Sequence, residues 1–291
     1  MIKEFEYFAP KTVAEACSWL SQYKEEAKVI AGGQSLLILM GQGLVAPEYL
    51  IDIKGIADLD YINFDDKEGL RIGALTTHRA VEKSPLIRNG FSVLSEMELM
   101  LATVQTRNWG TIGGNLCHAD PTGDPAPPLI AMDAKVKLVG SSGERVAALE
   151  DFSKDYFETI LQADEILTEI QVPKPPPHTG TAYMKFALME GDAAIVGAAV
   201  SITLEPGSGA CNDARIVLGG VAPVPLRAKR AEQMLVGKKV AEDLMAEAAQ
   251  VASGEARPTS DMHASAEYKR ELVKVFVKRA ARQALERARK T

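Results

Sequence analysis

Two short glycine motifs carry the residues of this sequence whose types and spacing best suit chemistry. The motif Gly110-Thr111-Ile112-Gly113-Gly114-Asn115 combines three glycines, a hydroxyl and an amide within six residues, and it contains no lysine or arginine. Glycine lets the backbone turn where a Cβ would clash, and it lets the backbone approach a ligand closely. Successive backbone N–H groups in such a turn form a concave anion site. The motif therefore predicts a loop that binds phosphate through its backbone.

A carboxylate and a second glycine motif narrow the class of ligand. Asp124 follows Gly114 by ten residues, and as an acceptor-only group it could take hydrogen bonds from sugar-like hydroxyls. The second motif, Ala31-Gly32-Gly33-Gln34-Ser35-Leu36, follows the apolar pair Val29-Ile30 and also has no cation. Gly-Gly pairs also occur in ordinary turns, so neither motif is decisive alone. Together they could hold the two phosphates of a dinucleotide from opposite sides, which favours a diphosphate cofactor.

Residues typical of a helix start occur at Thr12 and at Ser35. Thr12 and Glu15 form a capping-box pattern, in which the Thr12 hydroxyl caps a helix while Glu15 reaches back. Cys17 shares the apolar helical spacing that follows, so it is interpreted as a core residue rather than a reactive thiol. The Ser35 hydroxyl is expected to cap the short apolar segment 36–40.

Periodicity and turn residues predict the remaining elements. Expected strands cover residues 28–30, 49–53, 70–74, 135–139, 145–148, 166–172, 181–185, 194–204 and 211–218. One helix is expected to begin after the turn at residues 76–78. Further helices are expected over residues 91–102, 229–235, 241–252 and 266–290. The run from Gly41 to Ala46 mimics a dinucleotide-binding fingerprint, but Pro47 and a strand follow where that fingerprint must open a helix. That interpretation is rejected.

A proline-rich stretch divides the chain. Residues 173–180 read Pro-Lys-Pro-Pro-Pro-His-Thr-Gly, and proline fixes φ and removes a backbone donor, so no regular element is expected there. The domain boundary is placed within this stretch, and a chain of 291 residues suits two domains.

Composition and charge exclude several classes of protein. The chain is 46% apolar and 25% charged, which is typical of a globular protein, and its net charge of −6 argues against a general nucleic-acid binder. No apolar run approaches the ~20 residues that span a bilayer. The start Met1-Ile2-Lys3-Glu4-Phe5-Glu6 is too charged for a signal peptide, so a cytoplasmic protein is expected. Three cysteines without a Cys-x-x-Cys pair support neither an iron–sulfur cluster nor a structural zinc site on this chain.

Other candidate chemistry is weak. His118, Asp120 and Asp124 could suggest a metal site, but Pro121 and a loop follow and no second histidine lies nearby, so no metal site is predicted. Cys117 and His118 are adjacent, so on an extended chain they point to opposite faces and cannot form a nucleophile–base pair. The sequence shows no recognisable set of nucleophile, base and carboxylate, and no catalytic residue is assigned.

The motifs resemble a known family. Ala31-Gly32-Gly33-Gln34-Ser35-Leu36 and Thr111-Ile112-Gly113-Gly114-Asn115-Leu116 are similar to the paired FAD motifs of the medium, flavin-carrying subunit of the carbon monoxide dehydrogenase and xanthine dehydrogenase family. The resemblance covers essentially the whole chain and extends through Asp120-Pro121, Asp124, Asp164-Glu165-Ile166-Leu167, Lys185 and Asp192. It implies an α+β chain with a two-subdomain FAD-binding fold of the vanillyl-alcohol oxidase type over residues 1–175, with subdomains of about 1–55 and 56–175. A small antiparallel sheet-plus-helices C-terminal domain over residues 179–291 would follow.

The resemblance also implies a function. The chain would carry non-covalent FAD, take electrons from a small [2Fe–2S] subunit and pass them to an external acceptor. A large subunit would hold molybdopterin and oxidise the substrate with water as oxygen source, and the likeness suggests a dimer of heterotrimers. Two alternatives stay open: a stand-alone FAD-dependent oxidoreductase of the same fold, and a flavin-free assembly subunit.

Residue by residue, the resemblance assigns the cofactor contacts. Residues expected around the diphosphate and adjoining flavin are Val29, Ile30, Ala31, Gly32, Gly33, Gln34, Ser35, Leu36, Thr111, Gly113, Gly114 and Asn115. Residues expected elsewhere along FAD are Leu101, Ala102 and Cys117 as lining, Asp124 at its hydroxyls, Ile166 and Leu167 on a flat ring, and Lys185 and Asp192 near the isoalloxazine. A cation such as Lys185 can stabilise reduced, anionic flavin.

The sequence departs from the family pattern at two places. Many relatives carry an arginine between the positions of Lys185 and Asp192 and an aromatic residue directly after Asp192. This chain has Leu188-Met189-Glu190 and Ala193 there, which leaves access to the flavin edge and the identity of the acceptor open.

The last predicted helix carries an apolar stripe with fourfold spacing among lysines and arginines, made of Leu272, Phe276, Ala280, Ala284 and Ala288. The basic side chains are interpreted as a solvated face that complements the helix dipole, with a docking surface for a partner subunit as the alternative.

Overall fold

The computed structural model describes residues 2–290 as an α+β protein with three main sheets. The strands are β1 (Glu6–Phe8), β2 (Ala27–Ile30), β3 (Tyr49–Asp52), β4 (Ile62–Asp65), β5 (Gly69–Gly73), β6 (Lys135–Gly140), β7 (Gly143–Ala148), β8 (Ser153–Asp155), β9 (Glu158–Thr159), β10 (Ile166–Val172), β11 (Thr179–Phe186), β12 (Val196–Leu204), β13 (Cys211–Gly219) and β14 (Leu226–Arg227). The helices are α1 (Val13–Tyr23), α2 (Leu36–Gly41), α3 (His78–Lys83), α4 (Pro85–Gly90), α5 (Ser92–Met100), α6 (Val104–Trp109), α7 (Ile112–His118), α8 (Ala126–Ala131), α9 (Lys229–Leu235), α10 (Glu242–Glu255) and α11 (Ala266–Ala288). The expected α+β fold class is confirmed.

The first sheet is small and parallel, with the order β1-β3-β2. Parallel strands need crossover connections, and α1 supplies one between β1 and β2. The helix begins as predicted, because the Thr12 side chain accepts a hydrogen bond from the Glu15 N–H at 3.1 Å. The Glu15 carboxylate reaches back to the N–H of Lys11 at 2.8 Å rather than to that of Thr12. Cys17 is buried in this core, as predicted.

The second sheet is antiparallel, with the order β4-β5-β10-β6-β7. Its pairing confirms the predicted hairpin between β6 and β7 and the predicted strands β5 and β10. Leu70, Ile72, Val136 and Ile170 are fully buried in its core. The same core contains Tyr183 and two further residues of the third sheet, so the second and third sheets are packed together.

The third sheet is antiparallel, with the order β11-β12-β13-β14. Every residue of β12 is buried, as expected of a central strand covered on both faces. The α11 stripe is buried against this sheet, as its spacing predicted. The packing is close, because a Cβ added to Gly180 on β11 would lie 2.1 Å from the carbonyl oxygen of Ala284 on α11.

Three local expectations are wrong. The Ser35 side chain makes no capping hydrogen bond, and α2 is instead joined to the motif through backbone bonds from Leu37 to Gly33 and from Leu39 to Ser35. Most of the motif 110–115, expected as a loop, instead forms the start of α7, because Thr111 caps this short helix. Helix α4 was not predicted; its start is set by the Ser84 cap and by proline in the first turn.

The rejected fingerprint opens no helix. Gly43 lies in a turn at φ +74°, and the chain continues without regular structure to β3. Within residues 2–290, no helix is both long and apolar enough to cross a membrane.

Candidate cofactor site

A cleft of about 750 Å³ is formed where segments from all three sheets converge. Its walls come from the end of β2 and the motif after it, from residues 101–124, from the start of β10 and from residues 191–193 between β11 and β12. A volume of this size lies within the ~300–1,000 Å³ that cofactor and ligand sites usually have. The cleft is therefore large enough for a nucleotide cofactor.

The structure brings nearly all of the sequence-predicted residues to this one cleft. Those that line it are Val29, Ile30, Ala31, Gly32, Gly33, Gln34, Ser35, Leu36, Leu101, Ala102, Thr111, Gly113, Gly114, Asn115, Cys117, Asp124, Ile166, Leu167 and Asp192. Lys185 is predicted beside the cofactor but does not line the cleft. Whether each of them contacts FAD stays a prediction.

The first motif, residues 31–36, is an open loop. Gly33 has φ +72°, a left-handed conformation that an L-residue with a Cβ adopts only at a cost. Within the described chain, the N–H groups of Gly33, Gln34 and Ser35 have no hydrogen-bond acceptor. These donors lie at the cleft and suit an anion, and phosphate binding by this motif stays a prediction.

The second motif, residues 110–115, is the start of helix α7. The N–H of Gly114 donates to Thr111 Oγ1 at 3.1 Å, and the N–H of Asn115 donates to the Thr111 carbonyl at 3.0 Å. The N–H groups of Ile112 and Gly113 donate to the carbonyls of residues 76 and 74, each at 3.0 Å. The prediction that this motif offers a run of free N–H groups is therefore wrong for residues 112–115.

The glycines of the two motifs serve close packing between segments. A Cβ on Gly32 would lie 2.1 Å from the Trp109 carbonyl oxygen and 2.8 Å from Gly110 Cα, so the motifs touch through their backbones. A Cβ on Gly113 would lie 2.6 Å from Ala74 at the end of β5. Real Cβ atoms do not approach other heavy atoms so closely, so these glycines set the shape of the cleft.

Asp124 is held by two partners from the third sheet. One carboxylate oxygen accepts from the Tyr183 hydroxyl and the other from Lys185 Nζ, each at 2.7 Å. Burial raises the pKa of Asp124, and Lys185 opposes that rise. Lys185 Nζ also donates to the carbonyl of Asp192 at 2.7 Å. Lys185 does not line the cleft itself and lies behind its wall. From there it neutralises the carboxylate of Asp124 and fixes the backbone at Asp192.

The turn that contains Asp192 is closed by its own carboxylate, which accepts from the N–H of Met189 at 3.1 Å. Leu188 and Met189 are exposed, at 61% and 70%. Ala193 is exposed and lines the cleft. The departures from the family pattern therefore leave small or solvent-facing side chains at this rim.

Ala102 was predicted to line the cofactor, but its strained backbone was missed by sequence reasoning. Ala102 has φ +44°, which for a residue with a Cβ costs on the order of 1–3 kcal/mol. Arg107, itself buried, compensates by donating to the carbonyls of Leu101 at 2.6 Å and Ala102 at 2.9 Å. Glu82 in turn binds Arg107 at 3.0 Å. The arginine within α6 was the available signal, since a buried guanidinium needs several acceptors.

A buried histidine–glutamate pair was also missed. His78 lines the cleft, and its Nδ1 lies 3.0 Å from Glu98 Oε1, with the two side chains 3% and 0% exposed. Burial raises the pKa of Glu98. The available signal was a carboxylate on the apolar face of α5, beside Leu94 and Met97.

An aromatic pair forms another part of the wall. Phe157 lines the cleft in a left-handed conformation at φ +56°, and its ring centroid is 5.1 Å from that of His118. Burial lowers the pKa of His118, although Asp120 opposes this. The segment before β10 adds Glu165, whose carboxylate Arg145 binds at 2.7 Å.

Comparisons with known proteins identify the family. Residues 3–175 match the FAD binding domain in molybdopterin dehydrogenase, and residues 181–284 match the CO dehydrogenase flavoprotein C-terminal domain. The chain belongs to this family of FAD-binding medium subunits. It is accordingly an oxidoreductase subunit with FAD as its cofactor, and the resemblance on which the sequence analysis relied is confirmed.

Similar proteins align with this chain over nearly its whole length. The carbon monoxide dehydrogenase medium chain of Afipia carboxidovorans is 35% identical over 285 residues, covering 98% of each chain. The 6-hydroxypseudooxynicotine dehydrogenase complex subunit alpha of Paenarthrobacter nicotinovorans is 35% identical, covering 99% of this chain and 96% of its own. A carbon monoxide dehydrogenase structure from Hydrogenophaga pseudoflava superimposes with a TM-score of 0.95 at 36% identity and covers 99% of both chains.

Proposed function

We propose that this medium subunit carries non-covalent FAD in the cleft, takes electrons from a [2Fe–2S] subunit and passes them to an external acceptor. The observation that carries the proposal is the backbone contact between the two glycine motifs at Gly32 and Gly110. Because the motifs touch there, the free N–H groups of residues 33–35 and the start of α7 line the same cleft.

The residues of the cleft fit FAD along its length. The N–H groups of Gly33, Gln34 and Ser35 would bind a phosphate, as backbone donors do in other anion sites. Asn115 and Asp124 would bind polar groups of the cofactor from the opposite wall. The apolar side chains expected to border its rings are Leu101, Ala102, Cys117, Ile166 and Leu167. FAD supplies electron storage when bound, and these residues orient it and limit its contact with water.

We propose molybdopterin and [2Fe–2S] centres on two partner subunits, assembled as a dimer of heterotrimers in the cytoplasm. The relatives are a dehydrogenase medium chain and a complex subunit by name, which supports a heteromeric assembly. Next to the cleft, α2 leaves Leu37 and Ile38 exposed, at 45% and 58%. Large exposed apolar side chains of this kind are expected where another subunit covers the surface.

Purification of the native complex tests the proposal. The expected result is flavin absorbance on this chain, with molybdenum and iron on two co-purifying chains. An organic substrate should bleach the flavin in the complex and leave the isolated, FAD-loaded chain oxidised. Bleaching of the isolated chain would indicate a stand-alone flavoenzyme, and a colourless complex would indicate an assembly subunit.

A further inference from the structure

The charged side chains around the cleft are mostly carboxylates, so they add little to the backbone donors that suit a phosphate. Each phosphate of the FAD diphosphate holds a negative charge, and neither glycine motif contains a cation. Among the cleft-lining residues, Lys28 is the cation with a permanent charge, whereas Asp120, Asp124, Glu165 and Asp192 are carboxylates. Lys185 and Arg145 neutralise two of these from behind the wall. The remaining carboxylates still outnumber Lys28, so a further positive charge would strengthen the binding of a diphosphate by the backbone donors.

Two histidines, His78 and His118, line the cleft. Burial lowers the pKa of His118, although Asp120 opposes this, and its ring centroid lies 5.1 Å from that of Phe157. His78 instead shares a hydrogen bond with Glu98, at 3.0 Å. Its opposite ring edge, which carries Cδ2 and Nε2, approaches Gly110: Cδ2 lies 3.1 Å from where a Cβ on Gly110 would be. His78 therefore connects the second glycine motif to a buried carboxyl group.

Glu98 has capacity for one more proton. Its Oε2 is buried, and within residues 2–290 it has no hydrogen-bond partner. A buried carboxylate oxygen without a partner is costly, and protonation lowers that cost because a neutral carboxyl group is less costly to bury than a charged one. With both groups protonated, His78 would keep Nδ1–H on Glu98 Oε1 and present Nε2–H on the side of Gly110, while the second proton would lie on Glu98.

We propose that the His78–Glu98 pair takes up a proton from solvent when FAD binds, and so supplies the positive charge that both glycine motifs lack. The inference rests on the proposed function, because it requires FAD in this cleft. No covalent bond forms or breaks.

The other groups that face the pair already have partners. Arg107 on α6 is bound by Glu82 and by two carbonyls. Asp124, from the segment before α8, is bound by Tyr183 and Lys185 on β11. Their charges are compensated within the fold, so the proton count of the pair is the one that responds to a new anion.

The sign of the pH dependence follows by linkage. An anion near the pair raises its proton affinity, so the complex binds more protons than the free chain does. FAD binding is then strongest below the pKa of the pair in the free chain, weakens by up to about tenfold per pH unit between that pKa and the pKa in the complex, and changes no further above both.

Calorimetric titration of the full chain with FAD tests this, using buffers of different ionisation enthalpy at one pH. We expect up to about one proton taken up per FAD for the wild-type chain when the measurement is repeated across pH, at values between the pKa of the pair in the free chain and in the complex. Glu98→Gln, which preserves size and the bond to His78 but cannot take up a proton, should abolish the uptake, and His78→Gln should reduce it by about half or more. His118→Gln should keep the wild-type uptake, and His263→Gln, on an exposed loop, controls for loss of a histidine elsewhere.

Wild-type binding without proton uptake, or the same uptake in both pair variants, overturns the inference while FAD binding itself stands. Loss of uptake in His118→Gln alone assigns the proton to the other histidine and also overturns it. Failure of the wild-type chain to bind FAD overturns both the inference and the proposed function. If His78→Gln does not fold, as judged by circular dichroism, the isosteric Glu98→Gln decides the outcome.

Discussion

The two glycine motifs have similar compositions and opposite backbone states. In residues 31–36, the N–H groups of Gly33, Gln34 and Ser35 find no acceptor in the described chain and remain available. In residues 110–115, the N–H groups from Ile112 to Asn115 are bonded to Thr111 or to the chain near Ala74 and Thr76. The difference arises because Thr111 caps a helix and Ser35 does not. Glycine content alone therefore does not show which loop has free donors.

The largest expected effect comes from the residue at which the motifs touch. In Gly32→Ala, the new Cβ would meet backbone atoms of Trp109 and Gly110 at 2.1 and 2.8 Å, which cannot rotate away. We expect a loss of about 1–3 kcal/mol in the free energy of unfolding. The motifs should also separate and weaken FAD binding by at least ~100-fold, or about 2.7 kcal/mol.

Denaturant unfolding and FAD titration measure the two losses in Gly32→Ala. The matched control is Gly254→Ala within α10, where no heavy atom lies within 4 Å of the added Cβ. That control should leave FAD affinity unchanged and stabilise the helix by up to about 1 kcal/mol. Equal behaviour of the two variants would show that the contact between the motifs does not shape the site.

A smaller effect is expected inside the second motif. In Gly114→Val, the Cβ would lie 2.7 Å from Thr111 Oγ1 and displace the cap of α7. The expected loss of FAD affinity is roughly 10- to 150-fold, corresponding to ~1.5–3 kcal/mol. Thr111→Val, which removes the capping hydroxyl without adding bulk, separates the cap from the steric effect and should cost about 1 kcal/mol of stability. Unchanged FAD affinity in Gly114→Val would remove the second motif from the cofactor site.

The smallest effect on affinity is expected outside both motifs, at Ala193. An aromatic side chain there could stack on a flat ring and restrict access, whereas alanine provides little of either. Ala193→Tyr should slow flavin reoxidation by a small acceptor and keep FAD affinity within about tenfold, or ~1.4 kcal/mol. Rapid mixing of the photoreduced subunit with acceptor measures the rate. Identical reoxidation rates for the wild-type chain and Ala193→Tyr would mean that the side chain at position 193 does not restrict access to the flavin.

Much of the local structure followed from sequence because its causes are local. The Thr12 hydroxyl caps α1, the turn after Gly140 closes a hairpin, and the α11 stripe is buried, each set by spacing within one element. The family resemblance likewise follows from the order of residues in the two motifs. The division into domains near residue 175 remains a prediction from the same kind of signal.

Tertiary structure decided which groups meet. Lys185 was expected beside the cofactor, but a carboxylate sixty-one positions earlier, Asp124, binds it behind the wall. Glu98 is separated from His78 by twenty positions, and only the packing of α5 on α3 makes them a buried pair. Gly113 is needed because Ala74 lies against it. Such contacts depend on how separate helices and strands pack. The spacing of residues within one element does not show which other element will pack against it.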